Sequence, residues 1–559
     1  MQACKNEDLY KNLLELSIID QKELESDFDK AQKENLDLGE VLLDRDLITD
    51  ENLGKIISDV INVPFISLSK VSIPGELLTI VPELVARKQK VIVFGKDTEG
   101  LKIATLNPKN QEELDFIAKK TGEKIQTFYA TNKDIELALG LYKKDLQKSF
   151  DELLKAKISE AGNAANSDAP VSEIVDLLIN YAYSNRASDV HVEPEKTQSL
   201  IRFRIDGVLH DVLHFPKKIH DQIVSKVKVS SHLKTDEHLS AQDGKMQIPM
   251  PDEDLDIRVS IVPITAGEKI VLRLLSSKSR ELTLSDLGMR EADLLKVREG
   301  FNKPYGMVLS TGPTGSGKTT SIYAVLKILN TREINIATIE DPVEYEIAGI
   351  NQIQVNAKTN LTFASGLRAI LRQDPNIIFV GEIRDGETAD IAINSAMTGH
   401  MVLSTLHTND AATTLPRLID MGIEPFLVAS TINVIIGQRL VRKICQSCRF
   451  SVTVKCEELA KQLPLDLVKK QFGENEQVRI YQGKGCLVCH QTGYINRVGI
   501  FEVLTVNKEI KELIINKADS NVITEKARIL GMTTMLEDGL DKVSQGVTTI
   551  EEILRVTKG

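Results

Sequence analysis

The chain has 559 residues, with 80 acidic and 69 basic side chains and a formal net charge of −11. That length implies about three to four domains, and a hydrophobic content of 42% with 27% charged residues argues against long disorder. The acidic balance supplies no global attraction to a nucleic-acid backbone, the lack of Trp disfavours aromatic stacking platforms, and no window of about 18 apolar residues marks a membrane span.

The N-terminus, MQACKNEDLYKNLLEL, lacks the apolar core of a signal peptide. A weak repeat follows. Leu9, Leu13, Leu14, Ile18, Ile19 and Leu24 recur as Leu38, Leu42, Leu43, Leu47, Ile48 and Leu53. The spacing is helical, with Asp20 and Thr49 at matching N-cap places. Residues 1–62 therefore read as two short helical hairpins packed on each other.

Residues 63–148 read as a small α+β unit. Its strands run over Val91–Phe94 and Leu101–Ala104 around the turn Asp97–Gly100, and its helices over Asn110–Lys120 and Lys133–Tyr142. Residues 149–170 form a linker, small and polar from Ala161 to Pro170. A second α+β domain spans 171–278. It has a helix from Val171 to about Arg186 and strands at Asp189–Val192, Leu200–Ile205, Leu255–Val262 and Lys269–Leu275. From 279 to 559 strands and helices alternate, which predicts an α/β domain with a mainly parallel sheet.

Met307-Val308-Leu309-Ser310 reads as a short strand. It is followed by Gly312-Pro313-Thr314-Gly315-Ser316-Gly317-Lys318-Thr319-Thr320 and then by a helical pattern. This is a phosphate-binding loop in its strand–loop–helix context. The glycines let backbone N–H groups curl around an anion at a helix N-terminus. Lys318 is placed to contact the terminal phosphates and Thr319 to ligate Mg²⁺. Hydrolysis also needs acids that hold Mg²⁺ and orient water. Two apolar runs end in such acids: Ile336–Ile339 in Glu340-Asp341, and Ile377–Val380 in Gly381-Glu382-Ile383-Arg384-Asp385. In a parallel sheet ligands gather at strand carboxyl ends, so three such ends predict one site. A third run, Met401–Leu406, is flanked by His400 and His407, and spacing alone leaves structural and nucleotide-sensing roles equally open.

GPTGSGKTT, TIEDPVEYE, LRQDPNIIFVGEIRD and TGHMVLSTLHTNDA, in this order, resemble the secretion ATPase superfamily, the hexameric motors of type II secretion and type IV pili. SDVHVEP at 188–194, IRFRIDGVL at 201–209, DIRVS at 256–260, GEKIVLRLL at 267–275 and RVGIFEVL at 497–504 extend the resemblance from about residue 170 onward. It implies a RecA-like P-loop motor preceded by a PAS-like α+β domain and an N-terminal helical/α+β module. By the same resemblance Glu340 orients or deprotonates the attacking water, Glu382 acts on Mg²⁺ through water, and His407 couples the γ-phosphate to neighbouring subunits. Arg202 and Arg204 reach the nucleotide as arginine fingers. Read from the residues alone, those two arginines sit on an ordinary alternating strand with Phe203 and Ile205 inward. The superfamily usually carries arginine where this chain has Lys226, Leu239 and Lys245, so the set of fingers differs here.

Cys445-Gln446-Ser447-Cys448 and Cys486-Leu487-Val488-Cys489 supply four thiolates, a set that suits tetrahedral Zn²⁺ in a reducing compartment, and the resemblance implies that this zinc is structural. The superfamily's assembly motors carry this insert, here about 440–495. Cys4 and Cys456 read as small, partly buried thiols.

The N-terminal repeat resembles the module that precedes assembly motors. Some versions of it bind cyclic di-GMP through a repeated Arg-Leu-Gly-x-x-Leu element. Here both arginines are replaced, by Asp8 and Asp37, so cyclic di-GMP binding is not expected. The resemblance implies ATP, Mg²⁺ and Zn²⁺ as cofactors, a homohexamer, and an inner-membrane platform protein as partner at the cytoplasmic face. Pilus assembly is the leading expectation and a type II secretion motor the alternative. A nucleic-acid translocase is a further alternative, disfavoured by the charge.

Overall fold

The computed structural model describes residues 4–559 apart from 35, 46, 72, 79, 82, 99, 140–168, 251–252, 277–281, 474–476, 487–488, 490 and 558–559. It divides into two compact units, one formed by Met1–Tyr142 with Leu282–Gly559 and the other by Lys143–Glu281. No helix among the described residues is long and apolar enough to cross a membrane.

Four helices open the chain: α1 (Asn6–Leu16), α2 (Gln21–Glu34), α3 (Leu38–Asp44) and α4 (Asp50–Ile61). The repeated leucines explain their packing. The pairs Leu9/Leu38, Leu13/Leu42, Ile19/Ile48 and Leu24/Leu53 are all buried in one cluster. Leu14 and Ile18, in contrast, face solvent. Asp20 accepts from the Lys22 and Glu23 amides and Thr49 from the Asn52 amide, capping α2 and α4.

A three-stranded sheet follows, β1 (Val91–Asp97), β2 (Gly100–Thr105) and β3 (Ile125–Tyr129). β1 and β2 form an antiparallel hairpin, and β3 joins β2 in parallel after the helix Gln111–Thr121. The helix Asn132–Leu139 closes the layer, and its expected end at Tyr142 lies outside the described residues. Among the described residues, contacts link this N-terminal region to the C-terminal domain of the same unit. Arg298 donates to the Arg45 carbonyl, Lys133 pairs with Asp286, and Arg449 donates to the Lys70 carbonyl at 3.1 Å.

The second unit is an α+β domain around a six-stranded antiparallel sheet. Its strands are β4 (Asp189–Pro194), β5 (Gln198–Ile205), β6 (Val208–Pro216), β7 (Gln242–Pro249), β8 (Asp254–Ile264) and β9 (Gly267–Leu275), in the order β6-β5-β4-β9-β8-β7. Ala169–Ser184 and Lys217–Ser230 are helices, and both bury their apolar sides in the sheet's core. Ala169 and Pro170, expected to be linker, already belong to the first of them.

The C-terminal domain carries a seven-stranded sheet, β12-β11-β13-β14-β10-β15-β18. Its members are β10 (Gly306–Thr311), β11 (Ile336–Glu340), β12 (Asn351–Gln354), β13 (Ile377–Val380), β14 (Met401–Leu406), β15 (Ile432–Ile444) and β18 (Tyr494–Thr505). Six strands are parallel, and β18 pairs antiparallel with β15. Strands buried on both faces read as continuous apolar runs, and β10, β13 and β14 are buried at every position. Alternate residues feed two cores. Met307 and Leu309 pack with the helices Gly386–Met397 and Pro425–Thr431, while Val308 packs with Glu291–Phe301 and Lys318–Leu329. Between β15 and β18 the chain makes a hairpin, β16 (Arg449–Lys455) with β17 (Gln477–Gly483), whose strands are joined by two short helices.

Candidate active site

Because β11, β13, β14 and β10 are adjacent and parallel, their carboxyl ends line one sheet edge. The loop 312–317, Glu340, Glu382 and His407 all stand at that edge.

β10 ends at Thr311, and the helix begins at Lys318. Between them Gly312, Gly315 and Gly317 have φ of +151°, +78° and +89°, backbone that L side chains rarely adopt. A Cβ on Gly312 would stand 2.5 Å from the Gln438 carbonyl oxygen and 2.5 Å from Ser316 Oγ. Gln438, on β15, also fixes the loop directly. Its Nε2 donates to the Ser316 carbonyl at 2.8 Å, and its Oε1 accepts from Ser310 Oγ at 3.2 Å. Lys318 Nζ reaches back over the loop to the carbonyls of Gly312 (2.8 Å) and Pro313 (3.2 Å). Burial pushes its pKa down, and Glu382 counteracts this. Thr319 and Thr320 follow in the first helical turn. Pro313 and Thr314 form the loop's outer bend. Positive-φ glycines at a helix N-terminus, with a buried lysine, fit a nucleotide's phosphates.

Glu340 is 2% exposed at the end of β11. Thr338 Oγ1 donates to its Oε1 at 2.6 Å, Gln352 Nε2 to the same oxygen at 3.2 Å, and the Tyr323 hydroxyl to Oε2. Burial pushes the carboxyl's pKa up, and these three donors pull against it.

Glu382 follows β13. Arg384 contacts its Oε1 at 2.5 Å, and His407 Nε2 lies 3.0 Å from its Oε2. A carboxylate between a guanidinium and an imidazole, close to Lys318, suits a group that organises a hydrated Mg²⁺. Thr311, Thr408 and Thr414 tie the loop after β14 to β10, with Thr311 Oγ1 2.5 Å from Thr408 Oγ1. The two histidines therefore differ. His407 joins the site, whereas His400 precedes β14 and sits 3.0 Å from the Ser395 carbonyl.

Arg202 and Arg204 lie on β5 of the other unit, where their partners are local. Arg202 pairs with Glu193 at 2.6 Å, and Arg204 lies 3.5 Å from Asp189 and donates to the Gly207 carbonyl at 3.1 Å. Phe203 between them is buried. Leu239 is 90% exposed.

The sulfurs of Cys445, Cys448, Cys486 and Cys489 all lie within 4.8 Å of one another. Cys445 follows β15 directly, and Cys486 and Cys489 precede β18, so the hairpin insert brings the two pairs together. The amides of Cys486 and Gly493 point at the Cys489 sulfur at 3.1 and 3.2 Å. Burial, and then the negative charge of the neighbouring Cys489 and Cys486 thiolates, push Cys448 up to about 12. Four thiolate-forming sulfurs this close together offer one ligand atom each around a common centre, which fits tetrahedral Zn²⁺. Cys4 and Cys456 are half-buried and outside this cluster.

Sequence reasoning missed Tyr323, Thr338, Gln352 and Gln438. Tyr323 and Thr338 sit inside a helix and a strand pattern, Gln352 and Gln438 lie on strands that the sequence did not mark, and only the fold turns them toward the site.

The family described as Type II/IV secretion system protein matches residues 164–555, and the MshEN domain family matches residues 61–148. The type IV pilus assembly ATPase PilB of Myxococcus xanthus is 38% identical, covering 97% of this chain and 97% of its own length. The PilB of Acinetobacter baylyi is 36% identical, with coverage of 98% and 96%. The type II secretion system protein HxcR of Pseudomonas aeruginosa is 45% identical, but covers 70% of this chain and 78% of its own length. Among solved structures, the ATPase DotB of Yersinia pseudotuberculosis has a TM-score of 0.51 at 19% identity, covering 71% of this chain and 95% of DotB, a likeness of fold.

Proposed function

The chain belongs to the type II/IV secretion ATPase family, and on that premise we propose that it is a hexameric ATPase that drives type IV pilus assembly. ATP hydrolysis would move the motor and its preceding domain, and that motion would act on an inner-membrane platform protein at the cytoplasmic face. The observation that carries pilus assembly over secretion is end-to-end coverage. The PilB relatives align over the N-terminal region as well as the motor, whereas the HxcR alignment spans 70% of the chain. A type II secretion motor is the second reading, favoured by the higher identity within that 70%. A strain lacking this gene tests both. Loss of surface pili, restored by the wild-type gene and not by Lys318→Ala, supports assembly. Retained pili with lost exoprotein secretion supports the alternative.

The chain's own residues divide the chemistry. The 312–317 amides and Lys318 hold the phosphates. Thr319 and Glu382 would hold Mg²⁺, which would supply positive charge beside the phosphates. Glu340 orients or deprotonates the attacking water, and His407 senses the terminal phosphate through its contact with Glu382. Arg202 and Arg204 act as fingers only by exchanging Glu193 and Asp189 for nucleotide. Cys445, Cys448, Cys486 and Cys489 would hold a structural Zn²⁺ through four thiolates.

The N-terminal region does not bind cyclic di-GMP in this account. Asp8 stands in the first turn of α1, and Asp37 caps α3 through the Gly39 and Glu40 amides at 2.7 and 3.3 Å. Carboxylates at both places repel the two phosphodiesters of the cyclic dinucleotide. Low-micromolar binding of cyclic di-GMP to the full chain, by calorimetry, would overturn this.

A further inference from the structure

We propose that Tyr323, Thr338 and Gln352 are positioning residues that hold Glu340 for catalysis, and that Tyr323 ties it to the helix that starts at Lys318. The inference rests on the reading of Glu340 as the group that acts on water. A carboxylate side chain has three rotatable bonds, and hydrolysis needs its oxygens fixed to a fraction of an ångström. Here every degree of freedom is restrained. Oε1 accepts from Thr338, two residues earlier on the same strand, and from Gln352 on β12. Oε2 accepts from the Tyr323 hydroxyl.

The donors are themselves fixed. Tyr323 is fully buried, with its ring edge-on to Tyr345 (4.7 Å, 81°) and Phe379 (6.1 Å, 84°). Gln352 Oε1 accepts from the Ile347 amide at 2.7 Å, so its Nε2 end is committed to Glu340, the Tyr323 hydroxyl (3.3 Å) and the Tyr345 carbonyl (3.1 Å). A purely structural role for this network is weakly supported by the chemistry. A buried carboxylate with three donors adds little to stability compared with apolar packing of the same volume, whereas it fixes the orientation of a reactive group. Tyr323 lies five residues after Lys318 on one rigid helix. A shift of that helix when Lys318 engages phosphate is therefore transmitted to Glu340 through a single hydrogen bond.

The test is steady-state ATP hydrolysis by the full chain with Tyr323→Phe, Thr338→Val and Thr338→Ser. Tyr323→Phe keeps the ring, and Thr338→Ser keeps the hydroxyl. The expected result is a kcat lowered about 10- to 100-fold in Tyr323→Phe and Thr338→Val, with KM for ATP within about twofold of wild type. Thr338→Ser should keep most of the activity. An unchanged kcat in both donor-deleting variants overturns the proposal. So does a loss expressed mainly in KM, which would place the effect in nucleotide binding. Glu340→Gln, run in parallel, separates the two claims. If it turns over like wild type, the reading of Glu340 itself fails. If it is inactive while Tyr323→Phe and Thr338→Val remain normal, that reading stands and only the positioning proposal falls.

Discussion

His407 Nε2 lies 3.0 Å from Glu382 Oε2, joining the residue after β14 to the acid after β13. The pair spans two neighbouring strands, so a change at either residue displaces the other. His407→Ala is expected to lower kcat at least about tenfold while ATP binding, measured by fluorescence with a labelled analogue, stays within a few-fold of wild type. Equal losses in binding and turnover would instead make His407 part of the nucleotide cradle.

The loop glycines make a graded prediction. A methyl at Gly312 meets two atoms at 2.5 Å, whereas one at Gly315 meets nothing within 4 Å. Gly315→Ala therefore carries only the positive-φ strain, on the order of 1 kcal/mol. Gly312→Ala adds a steric conflict with a backbone carbonyl that cannot move without displacing β15. Nucleotide affinity should fall at least tenfold in Gly312→Ala and only a few-fold in Gly315→Ala. The reverse order would contradict the loop geometry.

Metal content tests the cysteine cluster. Protein purified in zinc-replete medium is expected to carry one zinc per chain by mass spectrometry. Cys489→Ser should lose it and lower the melting temperature, because the cluster closes the insert between β15 and β18. A full complement of zinc in Cys489→Ser, or none in the wild type, would remove the site.

Acid stability follows from Glu552, which joins the last helix to β15. Burial pushes its pKa up, but hydrogen bonds from Arg555 and Arg442 outweigh this and hold it at about 2, against the usual 4.5. A depressed pKa stabilises the fold above the unfolded value and loses that contribution as pH falls from about 4.5 through 2. The contribution at neutral pH is roughly 3 kcal/mol. Glu552→Gln should lower the urea midpoint at pH 7 clearly and at pH 3 much less. A pH-independent difference would assign the effect to packing.

The sequence made the sheet's centre legible and its edges much less so. β10, β11, β13 and β14 are apolar runs with turn residues after them, because parallel strands bury both faces. β12, with the sequence Asn351-Gln352-Ile353-Gln354, is an edge strand with little apolar signal. In the preceding domain β6 and β7 alternate weakly and escaped notice, as did the helix Lys217–Ser230 between them. The chemistry-bearing residues carry their signal in type and spacing: glycines, a lysine, acids at strand ends, paired cysteines. Tyr323 carries none. In sequence it is one more apolar helix residue, and its role comes from a hydroxyl that reaches a strand 17 positions away.

The central claim is that the edge formed by the 312–317 loop, Glu340 and Glu382 hydrolyses ATP. The most direct measurement is Mg²⁺-dependent phosphate release by purified full-length protein, comparing wild type with Lys318→Ala and Glu340→Gln. Measurable turnover in the wild type that falls at least about 100-fold in both variants, with Glu340→Gln still binding ATP, is the predicted result. Wild-type rates in either variant would contradict the account.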